Sequence, residues 1–395
     1  MKIGIIASEL YDGGEITWTK VLCSCLLSLG EIKVINIYVS KDYDMWVREF
    51  ADINKAIVNK VDWNFRFGIN YKIKIIKVII KILTLFKNSF AKRIFKFQKL
   101  DNNDLIISPY VSTELLFTSK KYIVCPQDTR HLHKNNLKIG IMEKLKKYYA
   151  EFFYSLRLKN AYRIVVEANY IKEDLMRYYK IPEDRIFIIV SPILISKYEI
   201  KEERYLVIRN KYNLPSKFIF YPAHFIEDKN HIKLVKALKI IKDKYNEIIP
   251  LILVGSKKNN FDNVMKAIEK LNLERQVKYL GYIPDEDMPY LYKLSTALVM
   301  PTLFESVSMP IWEAFYLGVP VVSSNVCALP EQVGDAGLLF DPFNIEDMAE
   351  KIYRIWIDEN LRAELVQKGY NRIKDLTLEN YAKQWEDVIK EALNE

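Results

Sequence analysis

Two glutamates with seven residues between them, Glu305 and Glu313, are the groups in this chain whose type and spacing first suggest chemistry. They lie in residues 300–324, which read as the end of a strand, a loop, a helix and a second strand. Residues 297–300 are an apolar run that stops at Pro301, a residue unable to donate to a sheet ladder. The loop carries Glu305, Ser306, Val307 and Ser308. Pro310 suits the first turn of a helix, where a missing N–H costs nothing. That helix runs through Glu313 and stops at Gly318, a residue suited to a left-handed cap. In an open parallel sheet such a loop lies at the carboxyl edge, where ligands bind. The helix start offers N–H groups and a positive dipole end, both favourable to phosphate. Carboxylates repel phosphate but accept well from sugar hydroxyls. The pattern therefore fits a nucleotide sugar, with phosphates on the helix start and hydroxyls on the two glutamates. Taken singly, the same acids also fit a helix cap and a solvated helical glutamate.

The whole segment, with Pro310 and the Gly318-Val-Pro-Val-Val322 run, resembles the E-x7-E signature of retaining glycosyltransferase family 4. The resemblance is nearly continuous over residues 217–375 and sparse before them. It implies an α/β protein of GT-B fold, with two Rossmann-like doubly wound domains facing a central cleft. Residues 1–195 would form the acceptor-binding domain and residues 205–375 the nucleotide-sugar domain. Residues 376–395 would form a helix crossing back to the first domain. In this resemblance Glu305 holds the transferred sugar and Glu313 the ribose. One departure stands out: Ser306-Val307-Ser308 replaces the usual Gly-Phe-Gly. The main-chain N–H groups survive that exchange, while the serine side chains narrow the space left for the sugar.

A second motif loop, residues 218–231, ends a strand at Pro222 and places Lys229 just before a helix over 232–245 that Asn230 is expected to cap. The Lys229 ammonium would join that helix start against one diphosphate. This resembles the family's phosphate loop, except that Ala223 or His224 stands where many members have Arg, so Lys229 carries most of the charge and a protonated His224 could help. Gly255, at the turn of a strand over 251–256, allows close approach to a base, and Gly281, Tyr282 and Ile283, at the end of a strand over 277–283, fit main-chain contacts to it. The Asp285-x-Asp287 pair follows Pro284 and precedes a helix through residue 294, so it reads as a helix cap rather than a metal site. Asp42-x-Asp44 is read likewise, and no metal or cofactor beyond the donor itself is expected.

The first half positions its polar groups more loosely. After a strand over residues 2–8, residues 9–15 read as a flexible loop whose Gly13 and Gly14 would admit a donor phosphate, ahead of a helix over 16–29. This is no G-x-G-x-x-G, which disfavours a dinucleotide enzyme. Strands are expected over 32–39, 105–108, 122–124, 162–166 and 186–190, with a helix over 169–179 and a connection over 193–215. The loop after residue 124 holds Asp128, Arg130, His131 and His133. It resembles a D-x-x-H-x-H segment lining the acceptor side in family members, which makes Asp128 and His131 the candidates for contacting the transferred sugar. A zinc site fails for want of a third ligand at sensible spacing.

Composition bounds the rest. The 395 residues are too many for one ordinary core and point to two domains. The net charge of +9 is uneven: residues 1–200 hold 33 Lys and Arg against 21 Asp and Glu, and residues 201–395 hold 26 against 29. Ten of those cations fall between Arg66 and Lys99 with no acid among them, and Lys74, Lys77 and Lys81 share one helical face beside a large apolar one. That suits either an ordinary surface helix or an anionic membrane surface, the latter fitting a lipid-linked acceptor. No nucleic-acid recognition motif accompanies the charge. Cys23, Cys25, Cys125 and Cys327 form no C-x-x-C pair and read as reduced thiols. No run of about 18 uncharged apolar residues is present, and the N-terminus reads as a strand rather than a signal peptide, so a cytoplasmic location, peripheral to the membrane, is expected. The reading is a metal-independent retaining transferase acting on a saccharide acceptor in cell-surface glycan synthesis. A GT-B nucleotide-sugar epimerase and a non-enzymatic basic binder are the alternatives.

Overall fold

A computed structural model describes residues 1–7, 13–40, 56–61, 100–112, 114–115, 118–133, 141–193 and 200–394. The basic stretch 66–99 and the Asp42/Asp44 pair lie outside the described residues. The chain divides into two compact units. The first is Met1–Glu167, Ile171–Ser191 and Leu378–Glu395, and the second Ala168–Tyr170 and Pro192–Thr377.

Among the described residues of the first unit seven strands, β1 (Lys2–Ile6), β2 (Val34–Ser40), β3 (Ala56–Val61), β4 (Leu105–Ser108), β5 (Tyr122–Val124), β6 (Arg163–Val166) and β7 (Ile186–Ile188), form one parallel sheet. Their order is β3-β2-β1-β4-β5-β6-β7. All four residues of β4 and all three of β5 are buried. That is why these strands appear in the sequence as unbroken apolar runs: a parallel sheet is covered by helices on both faces. The final helix, Leu378–Asn394, belongs to this unit and packs on the helix Gly13–Ser28. It inserts Tyr381 and Trp385, both fully buried, and the Ala392 carbonyl accepts from Lys121 Nζ at 3.0 Å. Truncating a buried tryptophan of this kind costs about 3–5 kcal/mol.

The second unit carries β8 (Ile219–Pro222), β9 (Leu251–Val254), β10 (Val277–Tyr279), β11 (Ala297–Met300), β12 (Val321–Ser324) and β13 (Gly337–Phe340), all parallel. Their order is β10-β9-β8-β11-β12-β13, the doubly wound arrangement in which direction of progress reverses once, between β8 and β11. Ile219 and Phe220 of β8 pair with Ala297 and Leu298 of β11. The loops leaving these two strands border the crevice that such a reversal opens at the carboxyl edge.

Several local expectations change. Gly13 and Gly14 are the first residues of the helix Gly13–Ser28 rather than part of the preceding loop. The connection over 193–215 contains a helix, Arg204–Lys211. Its short, charged pattern gave no periodicity because only Ile208 on it is buried. The strand expected through residue 283 ends at Tyr279, since Gly281 takes a positive φ of 80° and leaves the extended conformation.

Candidate functional site

The two loops that flank the strand reversal in the second unit are knitted together through main-chain groups. After β8 the chain makes a tight turn, Glu227–Lys229, closed by Asn230 at φ 56°. Asn230 precedes the helix His231–Tyr245 but does not cap it with its side chain. Its Nδ2 instead donates to the carbonyls of Pro301, 2.9 Å, and Pro342, 3.3 Å. A positive φ turns the asparagine away from the helix axis, so the amide serves the neighbouring loops. The Asp228 carbonyl accepts from Leu303 N–H at 2.7 Å and from Thr302 Oγ1 at 3.1 Å. Tyr221 on β8 donates its hydroxyl to the Lys229 carbonyl at 2.9 Å.

This scaffold brings Lys229 and Glu305 into an ion pair, with their side chains 18% and 16% exposed. A pair so far withdrawn from water is held more firmly than a surface pair. Glu305 therefore presents oxygens to hydroxyl donors while its charge is largely balanced, and it does not repel a nearby phosphate. Glu313 follows on the helix Met309–Tyr316, and its carboxylate accepts from the Tyr292 hydroxyl at 2.6 Å. Tyr292 is buried on the helix Met288–Leu294. Nothing in the sequence marks this tyrosine, because its partner is 21 residues away. Ser306 and Ser308 are buried, and the N–H groups of Ser306 and Val307 have no partner among the described residues.

On the other side of β8, Gly255 at φ 132° donates its N–H to the Gly281 carbonyl at 3.2 Å. A Cβ on Gly255 would lie 2.2 Å from the Ala223 carbonyl, so glycine is obligatory there. His224 Nδ1 lies 2.7 Å from Ser256 Oγ, fixing the ring beside that turn. Tyr282 projects outward, 83% exposed, and Ile283 is buried. His231, one of the four histidines in the sequence, is a core residue stacked on Phe225 with centroids 4.4 Å apart. Burial, helped by the Lys229 charge, pulls its pKa down to about 3, so the ring is neutral.

Asp287 does not cap its helix with a side-chain hydrogen bond. Its buried carboxylate accepts from Arg204 at 2.8 Å, Lys211 at 2.6 Å and Tyr212 at 2.7 Å, tying the helix Arg204–Lys211 into the unit. These contacts, led by the Lys211 hydrogen bond, hold its pKa below the usual range despite desolvation. Among the described residues no group of three His, Cys, Asp or Glu is placed to hold a metal ion.

In the first unit the candidate residues are tied to neighbouring side chains and main chain. Asp128 Oδ1 accepts from the Arg130 N–H at 3.1 Å, starting the single turn Arg130–His133. His131 Nε2 lies 2.7 Å from the Tyr179 hydroxyl, which in turn donates to Glu151. His133 Nε2 lies 2.6 Å from Asp174 Oδ2, and the buried Thr129 hydroxyl donates to the same oxygen at 2.5 Å. Desolvation and the bond to Glu151 push the Tyr179 phenol well up, so it stays protonated. All four cysteines are free thiols, three of them buried.

With this geometry in view, residues 207–372 match the family model described as Glycosyl transferases group 1. The O-antigen chain mannosyltransferase B of Escherichia coli is 32% identical over 236 residues, 59% of this chain and 61% of its own length. The chain thus spans under two thirds of that relative. The crystal structure of a glycosyltransferase from Rickettsia africae ESF-5 superposes with a TM-score of 0.73 at 20% identity, covering 99% of this chain and 98% of the other. Anabaena Alr3699/HepE in complex with UDP and glucose superposes with a TM-score of 0.77 at 14% identity, covering 99% and 100%. The two parallel sheets therefore have the GT-B fold of these solved structures, and the residues similar to the glycosyl transferases group 1 model, 207–372, include Lys229, Glu305 and Glu313.

Proposed function

We propose that this chain is a retaining glycosyltransferase that moves a hexose from a nucleotide-sugar donor to a saccharide acceptor without a metal ion. The observation that carries the reading is the Lys229–Glu305 pair on the two loops that flank the strand reversal of the second sheet. Lys229 and the N–H groups of Ser306 and Val307 stabilise the charge that grows on the leaving diphosphate, a preorganised electrostatic effect. Glu305 receives sugar hydroxyls, and Glu313, aimed by Tyr292, receives those of the ribose. Gly255, Gly281, Tyr282 and Ile283 border the base. The bond from the anomeric carbon to the phosphate oxygen breaks as the acceptor oxygen attacks on the same face. The acceptor proton passes to the departing phosphate. No side chain needs to act as a covalent nucleophile.

The name of the O-antigen chain mannosyltransferase, and the UDP and glucose bound by the Anabaena protein, support a hexose donor and an acceptor in a cell-surface glycan. A lipid-linked acceptor would place the enzyme at the cytoplasmic membrane surface, with residues 66–99 as the contact; binding to anionic but not neutral vesicles tests that.

The reaction itself is tested by incubating the protein with UDP-, GDP- and ADP-sugars, with and without saccharide acceptors, and reading product anomers by NMR. Transfer with retained configuration in the presence of chelator is expected. Conversion of donor alone into an epimer, or an inverted product, would overturn the assignment.

A further inference from the structure

The loop carrying Glu305 enters the helix Met309–Tyr316 through Ser308, and one side chain from elsewhere in the unit grips that residue. Gln332 Nε2 donates to the Ser308 carbonyl at 2.7 Å, and the Ser308 N–H donates to Gln332 Oε1 at 2.9 Å. The side-chain amide thus pairs with Ser308 as a neighbouring strand would. Both residues are buried, Gln332 at 4% and Ser308 at 2% exposure, so loss of the amide would leave the Ser308 N–H unpaired out of water's reach and its carbonyl with one acceptor bond fewer. Gln332 sits on the turn Leu329–Val333, and its own carbonyl accepts from Arg372 Nη2 at 3.2 Å and Nε at 3.3 Å. The Ser308 carbonyl also accepts from Ile311 N–H at 3.1 Å, so the first turn of the helix is coupled to the same grip.

We propose that Gln332 is a positioning residue for the donor diphosphate, an inference that rests on the reading of this corner given above. By occupying both main-chain groups of Ser308, it fixes the peptide orientation at which the loop becomes helix. The N–H groups of Ser306 and Val307, two and one residues earlier, are unpartnered among the described residues and are aimed by that orientation. Ser308 Oγ, buried and without a hydrogen-bond partner, is a further polar group left over at the same point. The Ser308 N–H is spent on Gln332, so the diphosphate relies on the two earlier amides and Lys229. Without Gln332 the Ser308 peptide rotates toward some other partner, and the preceding amides turn with it. Gln332 touches neither the turn at Gly255 nor Glu313, so the effect is confined to the phosphates.

Calorimetric titration of the full chain tests this with UDP, GDP and ADP and the matching nucleosides, on wild type, Gln332→Leu, Gln332→Glu and Lys229→Ala. Gln332→Leu removes both bonds. Gln332→Glu keeps the acceptor for Ser308 N–H and sets a carboxylate against the Ser308 carbonyl. Both are expected to weaken the preferred diphosphate on the order of tenfold to a hundredfold while the nucleoside Kd stays put. Unchanged diphosphate affinity in the Gln332 variants, alongside loss in Lys229→Ala, would overturn this inference and leave the proposed function standing. Equal weakening of diphosphate and nucleoside would also overturn it, by showing a purely structural role. A wild-type protein that binds none of the diphosphates would overturn both. Should Gln332→Leu fail to fold, the same ratio in Gln332→Glu decides.

Discussion

The two units solve the same problem of holding charged groups at a sheet edge in opposite ways. In the second unit the supporting hydrogen bonds go to main chain: Asn230 to Pro301 and Pro342, Thr302 to Asp228, Gln332 to Ser308. The charged side chains Lys229 and Glu305 are left facing each other. In the first unit the charged side chains are themselves the supports. His131 leans on Tyr179 and Glu151, and His133 on Asp174, which also takes the Thr129 hydroxyl. A site that must exchange its internal contacts for a ligand's does so at lower cost when its framework is built from backbone. That difference makes the second unit the better candidate for chemistry and the first-unit cluster the better candidate for a brace.

The largest effect expected from this contrast is on turnover. Lys229→Ala should lower kcat/KM by on the order of a hundredfold to a thousandfold, as the loss of a preorganised charge donor does elsewhere. His131→Phe should cost under about tenfold by the same assay, below the roughly hundredfold or more that loss of a general acid or base brings. Comparable losses in the two variants would break the comparison and move the chemistry partly into the first unit.

Stability should show the reverse ranking. Asp174→Asn weakens the carboxylate shared by Thr129 and His133, and urea titration should show a loss of about 1–3 kcal/mol. For the second unit, the Lys229→Met and Glu305→Gln cycle should give a coupling of roughly 1 kcal/mol. A coupling larger than the Asp174 effect would show that the Lys229–Glu305 pair is a brace as well.

The smaller effects concern acid and base, and they carry opposite signs in the two units. His231 has a folded pKa of about 3 against an ordinary value of 6.5, so the unfolded chain takes up the proton first. Its contribution is complete above pH 6.5 and is lost as pH falls toward 3, at roughly 1.4 kcal/mol per unit. His231→Phe, which keeps the stack on Phe225, should therefore flatten the acid side of a melting-temperature profile. Glu167, in the first unit, is pushed up from 4.5 to about 7 by desolvation, against a 3.0 Å bond from the Ser191 N–H that favours its charged form. Here the folded chain keeps a proton that the unfolded chain has released, so stability falls as pH rises from 4.5 to 7. Glu167→Gln should remove that decline. A profile unchanged in either variant would show the group to be as well solvated as in the unfolded chain.

Legibility in the sequence followed burial. The strands Leu105–Ser108, Tyr122–Val124 and Ala297–Met300 were readable to the residue, since every position in them is buried and all but Ser108 are apolar. The helix Asn169–Tyr179 was equally plain. Caps elsewhere were not legible. Asn230 and Asp287 stand at helix starts with the residue types that usually cap, yet both side chains turn to distant partners. Local sequence cannot weigh a nearby N–H against a loop carbonyl 71 residues away or a lysine 76 residues back.

From the sequence alone came the alternation of apolar runs and helices that dictates two parallel sheets, the pairing of Glu305 with Glu313 on one loop and helix, and the placing of Lys229 before another helix. Those features are local, set by periodicity, by proline and glycine, and by spacing within one turn or two. Tertiary structure decided which of the candidate groups meet. It joined Lys229 to Glu305, set Tyr292 on Glu313 and Gln332 on Ser308, withdrew His231 into the core, and turned the first-unit histidines onto their own neighbours. Each of those contacts closes only when separate strands are brought side by side, and the hydrogen bonds available at that moment settle what every polar side chain does.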